Sequence, residues 1–140
     1  MLQDIKGFAQ FISVERGLML FMISVGATFL TVGSLAWSSA LFLGVLVFCI
    51  WSAADAMNNI FDQQLDMLSD PFRAQFTRRL GRLGLLVAVG FTALSLALGV
   101  VTMVPYVVLF VALGILFGVL YSVPPFRLRK TAYKPVVNFT

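Results

Sequence analysis

The chain has 140 residues, of which 60% are hydrophobic and 11% are charged, and its formal net charge is +4. A soluble domain of this length cannot bury so much apolar surface, so the composition favours a membrane protein. The sequence contains no histidine, which removes imidazole acid–base chemistry and most zinc or haem sites. Its single cysteine, Cys49, has no partner for a disulfide. Any metal site would therefore use oxygen ligands.

Four apolar stretches have the length of a membrane-spanning helix, which needs about 20 residues. They cover residues 18–37, 40–57, 83–101 and 104–121. None alternates with the period of two expected for a membrane β-barrel. The residues before the first stretch carry mixed charge, so we expect a retained span and not a secretory signal. The sequence predicts one all-α domain over residues 1–140, with four transmembrane helices and motif loops at 58–82 and 122–135.

The charged residues fall on one side of this predicted topology. All ten Lys and Arg residues lie in the N-terminal segment, in the loop over residues 58–82 or in the segment over 122–135. The opposite connections, near residues 38–39 and 102–105, carry no charge. Basic residues mark the cytoplasmic side of membrane proteins. We therefore expect an integral protein of a prokaryotic cytoplasmic membrane, with both terminal segments and both motif loops facing the cytoplasm.

The stretch "ADAMNNIFDQQLD", residues 54–66, holds three of the six acidic residues. If the second span continues as helix past Met57, Asp55, Asn58, Asp62 and Asp66 form one narrow stripe. Carboxylates four residues apart repel each other, so this stripe needs a counter-charge. Mg²⁺ binds a few carboxylate oxygens together with phosphate oxygens and water. The spacing therefore suits a Mg²⁺–diphosphate site.

A solvated helix end accounts for this stretch equally well. In that case the aspartates would pair with Arg73, Arg78 or Arg79 in the segment that follows. Asp55 is better explained as a polar residue hydrogen-bonded inside the bundle than as a metal ligand.

The following segment, "MLSDPFRAQFTRRLGRLG", combines a proline with several arginines. Pro71 is predicted to break or start a helix. The planar fork of arginine suits phosphate oxygens, and Arg73 lies nearest the aspartates. Arg73 is therefore the best candidate here for a phosphate contact, although arginines beside spans also act as topology determinants or lipid head-group contacts.

The fourth span ends in "YSVPPFRLRK", residues 121–130. The two prolines are predicted to end the helix, and Tyr121 falls at the interface depth that aromatic rings favour. Arg127, Arg129 and Lys130 form a cationic cluster. The segment is either an interfacial anchor or a cover for a phosphate-bearing head group.

Two motifs of this chain resemble those of one family. "NNIFDQQLD", residues 58–66, resembles the N-x-x-x-D-x-x-x-D first aspartate motif of the UbiA superfamily of intramembrane prenyltransferases. "YSVPPFRLRK" resembles the Y-S-x-P-P-x-[RK]-L-[RK] segment that follows the fourth helix in these enzymes. The spacing between the motifs, the Arg-Gly opening of the first span and the four-helix order also agree, so the resemblance covers essentially the whole chain.

The resemblance implies transfer of a prenyl group from a prenyl diphosphate to an aromatic ring, a glycerol ether, a tetrapyrrole acid or a sugar phosphate. It implies Mg²⁺ as the cofactor and a groove between helices for the prenyl tail. Asn58, Asp62 and Asp66 would hold the metal and the diphosphate, and Asp62 and Asp66 would be catalytic. The implied substrate-binding residues are Asn58, Arg73, Tyr121, Arg127 and Arg129.

The sequence also departs from the family pattern. The proline-rich stretch after the first motif lacks its second proline, and the second aspartate motif, carried by a second four-helix half, is absent from these 140 residues. We expect the N-terminal half of a longer enzyme first, then a non-catalytic subunit of a larger membrane complex, then half of a two-chain enzyme. Expected partners are membrane lipid and either other membrane subunits or the missing half, and no nucleic acid.

A cation pathway is disfavoured because no acidic residue lies in the middle of a predicted span. Glycines within the spans are more simply explained by close helix packing. They are Gly26, Gly33, Gly44, Gly90, Gly99, Gly114 and Gly118.

Overall fold

The computed structural model describes residues 1–32 and 37–126, and these residues form seven α-helices and no strand. The helices are α1 (Leu2–Phe11), α2 (Val14–Val32), α3 (Trp37–Phe61), α4 (Gln63–Ser69), α5 (Pro71–Leu80), α6 (Arg82–Val101) and α7 (Pro105–Ser122). Four of them, α2, α3, α6 and α7, are long and apolar enough to cross a membrane. Length and composition thus indicate an all-helical, membrane-embedded protein, as predicted.

The segment over residues 58–82, between the second and third spans, is largely helical. Its first residues complete α3, and α4 and α5 follow. Asp70 caps α5, because its side chain accepts a hydrogen bond from the backbone N–H of Arg73 at 3.2 Å, and Pro71 occupies the first turn. Gly81 ends α5 with φ +51°, a conformation that glycine adopts without strain. Pro71 therefore starts a helix, as its position predicted.

Close contacts fix the directions of the spans. A Cβ placed on Gly114 would lie 3.6 Å from Ile50, and one on Gly118 would lie 3.3 Å from Ala54. Further along, the Ser122 hydroxyl donates to the Asn58 amide oxygen at 3.5 Å, and the two residues are 64 positions apart. The same offset recurs at all three contacts. The helices α3 and α7 therefore run parallel.

The other neighbours of α3 run the opposite way. On α2, Gly17 faces Phe48 and Phe21 faces Gly44, so positions rise on one helix as they fall on the other. The short connection over residues 102–104 turns α6 back into α7, where Gly99 meets Val111. One end of the bundle thus collects the starts of α2 and α6 and the ends of α3 and α7.

We call this the charged end, because every charged side chain of the described residues lies there. It also carries the short helices α1, α4 and α5. The charged residues are Asp4, Lys6, Glu15, Arg16, Asp55, Asp62, Asp66, Asp70, Arg73, Arg78, Arg79 and Arg82. The segregation of charge predicted from the sequence is therefore present in the fold.

Glycines allow the close approach of the spans at several of the predicted positions. A Cβ on Gly44 would lie 2.7 Å from the Phe21 ring and 3.1 Å from Val25, and one on Gly99 would lie 3.3 Å from Val111. Gly26 and Gly90 have nothing within 4 Å at the corresponding position, so packing does not require glycine there. Gly33 lies outside the described residues.

We expect Gly44→Ala to destabilise the bundle relative to Gly26→Ala. Both changes gain the same helix propensity, but only the first inserts a methyl group into occupied space, which costs about 1–3 kcal/mol. Thermal unfolding of the two purified variants in the same detergent measures the difference. Equal midpoints for the two variants would contradict the packing role of Gly44.

Candidate functional site at the charged end of the bundle

The aspartate stretch crosses a short interruption between two helices. The helix α3 ends at Phe61, and Asp62, with φ −103° and ψ 14°, precedes α4. Backbone hydrogen bonds of 2.9 Å run from the Asp62 N–H to the Asn58 carbonyl and from the Asp66 N–H to the Asp62 carbonyl. The expected continuous helix is therefore broken at Asp62, while helical hydrogen bonds still connect the three residues across the break.

Both motif aspartates are buried. Asp62 and Asp66 are each 4% exposed. An Arg73 Nη2 atom lies 3.4 Å from Asp66 Oδ1, and the Arg73 Nε atom lies 3.8 Å from Asp70 Oδ2. The ion pair expected for a solvated helix end is thus present at Asp66, but the carboxylates are withdrawn from solvent.

The side chains of this stretch carry oxygen atoms of the type that Mg²⁺ prefers as ligands. Asn58, Asp62 and Asp66 offer only oxygen donors on one continuous stretch of chain. Within residues 1–32 and 37–126, no group of three or more acidic or cysteine side chains is placed to hold a metal. Mg²⁺ in proteins commonly uses one or two carboxylates together with water and phosphate oxygens. The described residues therefore supply no complete metal site of their own.

A cavity of about 620 Å³ lies between α2, α3 and α7, and we call it the inter-helix cavity. Its apolar wall includes Leu20, Val47 and Phe117. Its polar wall, toward the charged end, includes Arg16, Asp55, Asn58 and Tyr121. The cavity thus extends from the apolar part of the spans to the charged end, which is the polarity profile of an amphiphile.

A polar cluster closes this cavity on the side of the α1–α2 turn. The amide of Asn59, which is 1% exposed, donates to the Phe11 carbonyl at 2.7 Å and lies 3.4 Å from Asp55 Oδ2. The Ser13 hydroxyl donates to the same Asp55 carboxylate. Asp55 is therefore hydrogen-bonded inside the bundle, as its position in the sequence favoured.

A second cavity, of about 520 Å³, lies between α1, the first turn of α2 and α5, and we call it the α1–α5 cavity. Lys6, Gln10, Ser13, Asp70 and Arg73 contribute to its lining. Arg16 lines both cavities. Neither this cavity nor the contacts of Ser13 and Arg16 were predicted from the sequence. The helix α1 has no side-chain cap and no apolar run long enough for a span.

The predicted site residues are therefore divided between different surroundings. Asn58 and Tyr121 line the inter-helix cavity. Asp62 and Asp66 lie outside its lining. Arg73, which forms the ion pair with Asp66, lines the α1–α5 cavity. Arg127 and Arg129 fall outside the described residues.

Comparisons with protein-family models, with curated proteins and with solved structures found no match to this chain. Membership of the UbiA superfamily therefore stays a prediction based on the two sequence motifs.

Replacing Asn59 with leucine should destabilise the charged end. The change leaves the Phe11 carbonyl, in a fully buried residue, without its donor, which costs about 1–3 kcal/mol. Thr31→Val is a suitable control, because its exposed hydroxyl bonds only to carbonyls of its own helix. Thermal unfolding of both variants measures the effect, and an equal loss in both would contradict the role of Asn59.

The N-terminal ammonium beside Asp4, followed by Arg79, holds the pKa of this carboxyl below its ordinary value of 3.8. A lowered pKa means that Asp4 stabilises the folded chain above pH 3.8 and that this contribution disappears as the pH falls through the folded pKa. We expect Arg79→Gln to raise the Asp4 pKa partway toward 3.8, measured by carbon NMR titration. Arg78→Gln should leave it unchanged, and an equal rise in both variants would rule out a specific Arg79 pair.

Proposed function

We propose that this chain is the N-terminal half of a UbiA-like intramembrane prenyltransferase, with its charged end facing the cytoplasm. The inter-helix cavity is the observation that carries the proposal. It offers an apolar wall at Leu20, Val47 and Phe117 for a prenyl tail and polar side chains at Arg16 and Asn58 for a diphosphate head. The prevalence of basic residues at the charged end supports the orientation.

The residues of the charged end have complementary roles in this proposal, with Asn58 in the lining of the inter-helix cavity and Asp62, Asp66 and Arg73 outside it. Asn58, Asp62 and Asp66 would hold Mg²⁺, which when bound neutralises charge on the leaving diphosphate. Burial and the pair with Arg73 keep the Asp66 carboxylate oriented. Arg73 is the arginine proposed to contact the diphosphate from that position, and its guanidinium also offsets the repulsion between the two carboxylates.

The transfer itself breaks the bond between the allylic carbon and a diphosphate oxygen, and the electron pair leaves with the diphosphate. The acceptor forms a new bond to that carbon and loses a proton. Tyr121 lies beside Asn58 in the cavity lining, where an acceptor head group would have to enter. The proposal leaves the acceptor class as a lipid, an aromatic ring or a tetrapyrrole acid.

The proposal includes a second set of helices that completes the site. The 140 residues carry one aspartate motif, and the second would come from a further segment or another chain. The spans differ in burial in a way that supports this arrangement: only 11% of the apolar stretch of α2 or of α7 is buried, against 44% for α3. The two helices that wall the cavity with α3 therefore keep large outer surfaces available for further helices or lipid.

A non-catalytic structural subunit of a larger membrane complex is the second candidate. It is favoured by the Asp66–Arg73 pair, which already balances one motif carboxylate inside the described chain. Under this alternative the buried charges stabilise the charged end and bind no metal. Other membrane subunits would then cover α2 and α7.

Binding of a non-reactive prenyl thiolodiphosphate tests the first proposal without requiring turnover. Membranes that contain the full chain should bind it in a Mg²⁺-dependent way. Asp62→Asn and Asp66→Asn should each weaken binding at least about tenfold, because each removes a charged ligand. Asp4→Asn is the control, because Asp4 is an exposed acid of α1 that pairs with Arg79.

Retention of Mg²⁺-dependent binding by either motif variant would refute the assignment of Asp62 and Asp66. Absence of binding in the parent chain, together with stoichiometric co-purification of other membrane subunits, would favour the structural role. Prenyl transfer that appears only when a second motif-bearing chain is added would support the two-part enzyme.

A further inference from the structure

The α1–α5 cavity has the lining of a binding site for an anion. Lys6, Arg16 and Arg73 place three cations around it, against two acids, Glu15 and Asp70. Its volume of about 520 Å³ lies within the range of small-molecule sites, about 300–1,000 Å³. Within the part of the chain that the structure describes, neither Lys6 nor Arg16 forms an ion pair. Two cations of the lining are therefore available to a ligand.

Two buried polar atoms in the lining lack hydrogen-bond partners among the described residues. They are the side-chain oxygen of Gln10, which is an acceptor, and the Nε atom of Arg73, which carries a donor hydrogen. The nearest carboxylate oxygen to this Nε, on Asp70, lies 3.8 Å away, beyond hydrogen-bonding distance. Buried polar groups in proteins are nearly always paired. A ligand that brings both an acceptor and a donor would complete their pairing, as bound water would.

The position of α1 indicates where the α1–α5 cavity lies relative to the membrane. The helix α1 leads directly into the first apolar span, and the side chains of Met1, Leu2 and Ile5 at its start are 92%, 81% and 60% exposed. A short helix with such an apolar face lies in the interface of a membrane. The Lys6 ammonium is held 5.4 Å from the centre of the Phe72 ring, between α1 and α5. The cavity therefore lies beside a helix that we expect at the membrane interface.

We propose that the α1–α5 cavity binds a phosphodiester that carries a neighbouring hydroxyl, the chemistry of an anionic glycerol-based phospholipid head group. The phosphate oxygens accept hydrogen bonds from Lys6, Arg16 and the Nε of Arg73. The hydroxyl donates to the Gln10 side-chain oxygen. The same chemistry occurs in a soluble glycerol phosphate, and the experiment distinguishes the two sources.

This site shares Arg16 and Arg73 with the proposed diphosphate site, but lipid retention by the full chain is measured without any prenyl substrate, so the two proposals can fail separately. The purified chain is equilibrated in detergent with equal amounts of phosphatidylglycerol and phosphatidylcholine, and the bound lipid is measured by native mass spectrometry. The parent chain should retain phosphatidylglycerol preferentially. Lys6→Gln should lower this retention about tenfold, and Gln10→Met about threefold, because they remove a charged and a neutral hydrogen bond respectively.

Arg78→Gln is the matched control, because it removes the same charge from the exposed part of α5, outside this cavity. An equal loss in Arg78→Gln and Lys6→Gln would overturn the proposal, since it would show a general effect of charge. Equal retention of the two lipids by the parent chain would also overturn it. Displacement of phosphatidylglycerol by glycerol 3-phosphate would support the same chemistry from a soluble source, whereas preferential retention that resists displacement would identify the lipid.

Discussion

The hydrogen bond from the Asn59 amide to the Phe11 carbonyl joins α3, which lines the inter-helix cavity, to α1, which lines the α1–α5 cavity. It ties the last turns of α3 to the residue that ends α1, and Ser13 reinforces the tie by donating to Asp55. The backbone at Ser13, in the connection between α1 and α2, has φ +49°. Because Ser13 and Asp55 line different cavities, their bond forms part of the wall between them. The shape of both cavities depends on this cluster.

Close packing of α7 against α3 determines the position of the inter-helix cavity between the spans. Gly118 brings α7 against Ala54, while Gly114 leaves ordinary van der Waals contact to Ile50. The larger Phe117, between these glycines on α7, lines the cavity that separates α7 from α2. Gly114 and Gly118 line that cavity together with Phe117, so the small residues that bring α7 close to α3 also form part of the cavity lining.

The spans were predictable because an apolar run of about 20 residues is long enough to cross a bilayer and too long for an ordinary buried strand. Pro71 was predictable because proline restricts the start of a helix. The helix α1 was not predicted, although Leu2, Ile5, Phe8 and Phe11 recur at helical spacing.

The contacts at the charged end were harder to predict. The partner of Asn59 lies 48 positions away, and Phe11 contributes a backbone carbonyl, which leaves no residue pattern in the sequence. The pairing of Arg73 with Asp66 was foreseen as one of two alternatives, because their charges and their short separation favour it. The burial of Asp62 and Asp66 was not foreseen, since it depends on how the short helices fold back over the end of the bundle.

Because Arg16 lines both cavities, the two proposed anion sites would share one guanidinium group. One guanidinium group cannot give its full set of hydrogen bonds to an anion on each side at once. An occupant that draws Arg16 toward α1 and α5 therefore lowers the affinity of the inter-helix cavity for a negative head group. By thermodynamic reciprocity, an anion in the inter-helix cavity lowers the affinity on the other side by the same factor. Under the two proposals together, the lipid composition around the protein would affect the binding equilibrium of the inter-helix cavity.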